Sequence, residues 1–314
     1  MLDKAMKIIV TGSLGNIGKP LTEILVAQGH QVTVISSDQK KQADIEALGA
    51  TAAIGSIADV KFLTDTFMGS DALYAMVPLS MTEPDLGDYL RRMAQNYVQA
   101  LEPAGIKRVV LLSGWAANLT RNENIEHVFG HLKISLTILR PTVFYNNFYQ
   151  SIDLIRGKGL MGMFLTLRYS GLWALLSGKT GLLLGNYGGE DRIVFVSPKD
   201  IAYAVSEELL LHPEKRTIRY VGSEEMTCNE AAKIIGTAIG KPWLKWVLLS
   251  DKEMLRGLKM AKVPEKLANT LVEMQAAMHS GKALDNFHLN NPKMGKVKLA
   301  DFAKEFARDY HKNS

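Results

Sequence analysis

A single cysteine, Cys228, stands among 314 residues, so no disulfide can form within the chain and a reducing, cytoplasmic setting is expected. Long apolar runs are missing as well. The most apolar window, residues 160–184, is broken by Arg168 and Lys179, and nothing approaches the roughly 20 uncharged residues that a membrane span needs. No membrane partner is therefore expected. The opening Met-Leu-Asp-Lys-Ala-Met lacks the architecture of a signal peptide. No low-complexity linker and no internal repeat divides the chain. The formal charge is +5, with basic residues gathered between Lys252 and Lys282. Asp251, Glu253, Glu265 and Glu273 accompany them and interleaved aromatics are lacking, so a solvated helical face is expected there and no nucleic-acid partner.

What is present fits a soluble globular protein, with 47% hydrophobic and 22% charged residues. The first 150 residues alternate two periodicities. Strand-like runs occur at Ile8–Val10, Val32–Ile35, Ala52–Ile54, Ala72–Met76, Val109–Leu112 and Leu136–Leu139, with helical stripes between them, as at Leu86, Tyr89, Leu90, Met93, Tyr97 and Leu101. Such alternation predicts right-handed crossovers and a doubly wound parallel sheet of Rossmann type. The second half turns mainly helical. Helix starts are marked by Ser197-Pro-Lys-Asp200, Thr227-Cys-Asn-Glu230 and Ser250-Asp-Lys-Glu253. The expected organisation is a dinucleotide-binding domain over 1–150 and a helical substrate or partner lobe over 151–314, with ligands at the carboxyl ends of the strands.

The strand Ile8-Ile-Val10 runs straight into Thr11-Gly12-x-x-Gly15-x-x-Gly18 and then a helical stripe at Ile17, Leu21, Ile24 and Leu25. Strand, glycine turn and helix in that order are the context of a dinucleotide site. Gly12 and Gly15 let backbone approach a pyrophosphate, and Gly18 lets the helix pack close to the strand. The cradle is expected to comprise Gly12, Ser13, Leu14, Gly15, Asn16, Ile17 and Gly18, with first-turn amides and the helix dipole facing the anion.

With this spacing the turn resembles that of the extended and atypical short-chain dehydrogenases/reductases. Three later stretches, Val109-Val-Leu-Leu-Ser-Gly114, Leu136-Thr-Ile-Leu-Arg-Pro-Thr-Val-Phe-Tyr-Asn-Asn-Phe148 and Val196-Ser-Pro-Lys-Asp-Ile-Ala202, resemble the NmrA-like branch. The resemblance implies roles for further residues. The second strand ends in Ser36-Ser37-Asp38-Gln39-Lys40-Lys41, where many NmrA-like reductases carry an arginine. Ser36, Ser37 and Lys40 can still surround a 2′-phosphate and Asp38 lies beyond the place of a ribose-binding acid, so NADP(H) is favoured over NAD(H). Ser56 and Ile57 would border the adenine, although Ser56 stands where the family has aspartate. Val77 and Pro78 would line the nicotinamide ribose.

The catalytic pattern departs from the superfamily. None of the ten tyrosines has lysine four residues on, and that pair is what normally moves the proton. The stretch where it should lie reads Arg121-Asn-Glu-Asn-Ile-Glu-His-Val-Phe129. Ser113 therefore reads as a cofactor or water contact. Tyr145 would approach the nicotinamide and is the best remaining proton donor, set against a packing or substrate-wall role. His127 and His131 share a helical face without a third ligand, so no metal is expected. Two functions are implied. One is an NAD(P)H-dependent reductase of quinone-reductase type acting on a small-molecule acceptor. The other is a non-catalytic NAD(P) sensor that works through a protein partner.

Overall fold

The computed structural model describes residues 5–80, 83, 85–118, 125–211 and 215–312. Residues 121–124 of the stretch read for a Tyr-Lys pair lie outside them.

The strands in chain order are β1 Lys7–Val10, β2 Gln31–Ser36, β3 Thr51–Ile54, β4 Ala72–Ala75, β5 Arg108–Leu112, β6 Ser135–Pro141, β7 Val143–Phe144, β8 Leu183–Gly185, β9 Arg192–Val196, β10 Thr217–Val221, β11 Glu224–Thr227 and β12 Trp246–Leu248. The helices used below are α1 Gly18–Ala27, α2 Gln42–Ala47, α3 Val60–Phe67, α4 Leu86–Ala104, α5 Ile125–Phe129, α6 Asn147–Gln150, α7 Ile152–Arg156, α8 Gly159–Ser170, α9 Leu172–Leu176, α10 Pro198–Leu210, α11 Cys228–Ala238 and α12 Asp251–Met260.

Two compact units result. The first comprises Met1–Pro141 together with Pro198–Val221, and the second Thr142–Ser197 with Gly222–Ser314. The first unit holds a seven-stranded parallel sheet in the order β10-β6-β5-β4-β1-β2-β3. The fold is the expected Rossmann type, and its strand order reverses between β1 and β4. Strands buried on both faces explain the unbroken apolar runs of β1, β4 and β5. One face is sealed by Leu63 and Phe67 of α3, Met93 and Tyr97 of α4 and Phe129 of α5, packed over Ile9, Leu73 and Val109.

This division differs from a single boundary at residue 150. The first segment ends at Pro141, and α10 with β10 returns to the first unit. Buried polar contacts account for the return. Arg108, with no exposed surface, donates from Nε to the Glu208 carbonyl at 2.9 Å and from Nη2 to Thr137 Oγ1 at 2.8 Å and Glu208 Oε2 at 3.2 Å. Burial lowers the Arg108 pKa and Glu208 opposes that fall. The register Thr217↔Thr137 to Val221↔Pro141 then adds β10 beside β6.

The second unit has a three-stranded sheet, β11-β9-β7, and a two-stranded one, β12-β8. Both capping boxes read at Thr227 and Ser250 form, opening α11 and α12. Cys228 is fully buried at the start of α11, and burial, then Asp191 and Glu190, push its thiol pKa up. The native protein should therefore react with a disulfide reagent at pH 8 on the order of a hundredfold more slowly than the unfolded chain. Equal rates would contradict this burial.

Candidate cofactor site

The turn after β1 is built on Thr11, whose buried hydroxyl donates to the Tyr74 carbonyl at 3.0 Å and accepts from the Met76 amide at 2.8 Å. Tyr97 donates its hydroxyl to the Met76 carbonyl at 3.0 Å, so the carboxyl ends of β1 and β4 are fixed to one another. Burial pushes the phenol pKa of Tyr74 and of Tyr97 upward. Neither can stand in for the acidified tyrosine of a Tyr-Lys pair.

Gly12 takes φ +87°, and a Cβ there would lie 2.2 Å from Met76 Cε. Ser13 adopts φ +55°, a left-handed conformation that costs an L-residue roughly 1–2 kcal/mol. Two contacts to β2 hold it there, the Ser13 amide to the Ile35 carbonyl at 3.0 Å and Ser13 Oγ to Ser36 Oγ at 3.0 Å. The bent turn brings the Ser13 carbonyl against α1, and a Cβ on Gly18 would sit 2.0 Å from that oxygen. Glycine at 18 follows from this close approach.

The turn leaves the beginning of α1 open. Ile17 at its N-cap has no side-chain capping bond, and its first turn contains no acid. By contrast Asp59 caps α3, Asp85 caps α4, Thr227 caps α11 and Ser250 caps α12. Among the described residues the amides of Leu14, Asn16, Ile17 and Gly18 have no hydrogen-bond partner. Gly15 and Asn16 are exposed beside them. Unpaired amides at the positive end of a helix dipole, at the switch point of a parallel sheet, suit a pyrophosphate.

The end of β2 is arranged differently from expectation. Ser36 is buried, accepts from Ser13 Oγ and from the Asp38 amide at 3.1 Å, and donates to the Asp38 carbonyl at 3.3 Å. Its hydroxyl bonds within the loop, to Ser13 and Asp38. Asp38 accepts from the Lys40 amide at 3.0 Å, capping the short 3-10 turn Gln39–Lys41. Ser37 and Lys40 are exposed, and the Lys40 ammonium has no ion-pair partner among the described residues, whereas Lys41 pairs with Asp44 at 3.4 Å. After β3, Ser56 Oγ accepts from the Ala58 amide at 3.1 Å, and Asn96 of α4 donates to the Ile57 carbonyl at 3.1 Å. The backbone of residues 55–57 is thereby held at the carboxyl edge. Val77 is buried after β4 and Pro78 is exposed.

At the ends of β5 and β6 the structure assembles a cluster that residue spacing did not announce. Glu126 of α5 is 2% exposed. Ser113 Oγ donates to its Oε1 at 2.6 Å. Arg140 grips both carboxylate oxygens, Nε to Oε1 at 2.8 Å and Nη2 to Oε2 at 2.6 Å, and Arg140 Nη1 donates to the Tyr220 hydroxyl at 2.8 Å. Burial works to lower the Arg140 pKa, but the hydrogen bond and charge of Glu126, followed by Tyr220, outweigh it and hold the pKa above its ordinary value. Ser113 is thus engaged by a carboxylate. A buried carboxylate lies in the stretch read for a Tyr-Lys pair. Its sequence signal was the arginine preceding Pro141, which needs a buried anion.

Tyr145 belongs to the second unit. It has no exposed surface, and its hydroxyl lies 3.2 Å from the Val297 carbonyl and 3.3 Å from Glu224 Oε2. Its ring stacks among Phe195 and Phe302. This is the packing role set against proton donation for Tyr145. Tyr145→Phe should reduce kcat/KM by less than roughly tenfold, well short of the ~10²–10⁴ loss of a general acid. Steady-state kinetics with one acceptor checks this. His127 and His131 are exposed with Nε2 atoms 3.4 Å apart.

Residues 12–160 match the family described as NAD(P)H-binding. The glycine cradle lies at the start of that match. An NAD(P)H azoreductase of Xenophilus azovorans is 23% identical over 278 residues, covering 86% of each chain. Two solved structures share the fold. An NADPH-dependent quinone oxidoreductase from Escherichia coli, complexed with NADPH, has a TM-score of 0.71 at 18% identity, over 95% of this chain and 99% of the other. The triphenylmethane reductase of a Citrobacter species, complexed with NADP(H), has a TM-score of 0.69 at 19% identity, over 96% and 99%.

Proposed function

We propose that this protein is an NADPH-dependent oxidoreductase of quinone-reductase type, acting on a small-molecule acceptor. The observation that carries the reading is the uncapped start of α1, whose unpaired amides and flanking glycines fit a dinucleotide pyrophosphate. The named activities of the similar proteins, azo, quinone and dye reduction, support it. Bound NADPH supplies a hydride, and a quinone that accepts it takes one proton from water to become the hydroquinone. No Tyr-Lys pair is required for that step, because aromatisation drives it and the proton can arrive late.

The chain's own residues have limited tasks. Leu14 to Gly18 hold the pyrophosphate by backbone donors, Ser37 and Lys40 meet the 2′-phosphate, and residues 55–57 border the adenine. The Ser113–Glu126–Arg140–Tyr220 cluster keeps the ends of β5, β6 and β10 rigid. Anaerobic titration with NADPH and NADH, followed by a screen of quinone, azo and carbonyl acceptors, tests the proposal. NADPH should bind at least about tenfold more tightly, since a charge-assisted contact from Lys40 has no counterpart in NADH. Equal or tighter NADH binding would reverse the cofactor preference. A second reading, a non-catalytic sensor with a protein partner, draws on the exposed apolar residues of α8 and α9. Tight NADPH binding without turnover of any acceptor would select it.

A further inference from the structure

Helix α8 presents its apolar stripe outward. Leu160, Met163, Phe164 and Leu167 stand at i, i+3, i+4 and i+7, on one helical face, and are 86%, 46%, 55% and 46% exposed. The opposite face holds Gly162 and buried Thr166. A Cβ on Gly162 would come within 2.3 Å of the Gly157 backbone, so this small-residue side is the one pressed against the protein. Lys245 Nζ donates to the Tyr169 carbonyl at 2.5 Å and secures the last turn. Helix α9 packs beside α8 and adds Leu172, Trp173 and Leu176, exposed to 57%, 84% and 69%.

The charges carried by α8, α9 and the residues directly flanking them are of one sign. Between Asp153 and Glu190 the sequence has no carboxylate, while Arg156, Lys158, Arg168 and Lys179 are all basic. Lys158 and Lys179 are exposed and unpaired among the described residues, whereas Arg156 pairs with Asp153 at 3.4 Å and Arg168 with Glu253 of α12 at 2.5 Å. A two-fold contact with a second copy would set this basic rim against itself. An anionic bilayer surface complements it, since it receives apolar side chains below and cations at the headgroups. Trp173 suits the interfacial zone, with an apolar ring and a polar N–H.

We propose that α8 and α9 form a monotopic anchor that seats the protein on anionic lipid bilayers. The twelve residues of α8 reach only about 18 Å, short of a span, so the two helices lie in the interface plane. The sequence reading expected no membrane contact because it sought a spanning run, and an interfacial helix needs none.

Flotation of the purified full-length protein with vesicles tests this, using pure phosphatidylcholine or phosphatidylcholine with one quarter phosphatidylglycerol. The protein should float with the anionic vesicles and at least tenfold less with the neutral ones. The triple variant Leu160→Glu, Phe164→Glu, Trp173→Glu should lose flotation at least tenfold while binding NADPH as the wild type does. Trp173→Glu alone, should the triple variant misfold, should lower flotation severalfold. Absence of flotation on both vesicle types, or flotation untouched by either variant, overturns the anchor. So does a dimer in light scattering that Trp173→Glu dissociates, which would make a second copy the occupant.

Discussion

Replacing Glu126 with alanine should lower the unfolding free energy by about 3–5 kcal/mol, the usual result of stripping one partner from a buried ion pair. Arg140 is 6% exposed and directs two nitrogens at Glu126, leaving only Tyr220 for the third. Without the carboxylate a guanidinium stays charged in a dry site, because no accessible pH deprotonates it. Glu126→Gln keeps the shape and one carbonyl acceptor, so it should be milder than alanine. The double variant Glu126→Leu, Arg140→Met removes both charges and should recover part of the loss. Urea denaturation of the four proteins measures the series. A loss below about 1 kcal/mol for Glu126→Ala would place the pair in a wetter environment than the structure gives it.

The second large effect concerns ligand binding without loss of fold. Gly15→Asp should weaken NADPH binding by about 2 kcal/mol or more, roughly thirtyfold in Kd. A Cβ at Gly15 would meet only the Gly12 carbonyl, at 3.1 Å, so the residue itself is nearly tolerated. The new carboxylate, however, would stand at the uncapped start of α1 and take the amides intended for phosphate. A carboxylate there interacts favourably with the helix dipole, so thermal stability should hold or rise slightly while affinity falls. Gly15→Ala adds the volume without the charge and should lose far less. Fluorescence titration reads all three. Unchanged affinity in Gly15→Asp would remove the cradle from the binding site.

The glycine turn was readable because its chemistry is local. Strand, Gly12, Gly15, Gly18 and helix follow one another without a break, and the structure forms them in place. The parallel strands of the first 141 residues were readable for a similar reason, since two-sided burial writes itself as an apolar run. Strand β10 was not. Thr217-Ile-Arg-Tyr-Val221 is an edge strand with exposed residues, and only the partner β6, 80 positions earlier, makes it part of the sheet. Ser36 is ambiguous in sequence for another reason. A hydroxyl at the end of β2 looks the same in sequence whether it faces a ligand or folds back onto Ser13 and Asp38. Glu126 was legible only as half of a pair whose other half lies fourteen residues away, on strand β6. Tyr145 was placed by analogy with neighbouring motif residues, and its burial depends on Phe195, Val297 and Phe302, which are distant in sequence.

The return of residues 198–221 to the first unit sets an order of events during synthesis. When residue 141 leaves the ribosome, β6 is still a bare sheet edge, and Arg140 has Glu126 but not yet Tyr220. Arg108 likewise waits for Glu208, and α1 for α10, which packs on it. The nascent sheet of the first unit must therefore stay open while the first 56 residues of the other unit, Thr142–Ser197, emerge. Cutting the gene after residue 150 would freeze the chain in that unfinished state, with an unpaired strand edge that invites association. A fragment that keeps the whole seven-stranded sheet has to rejoin Pro141 to Pro198 and run on through Val221.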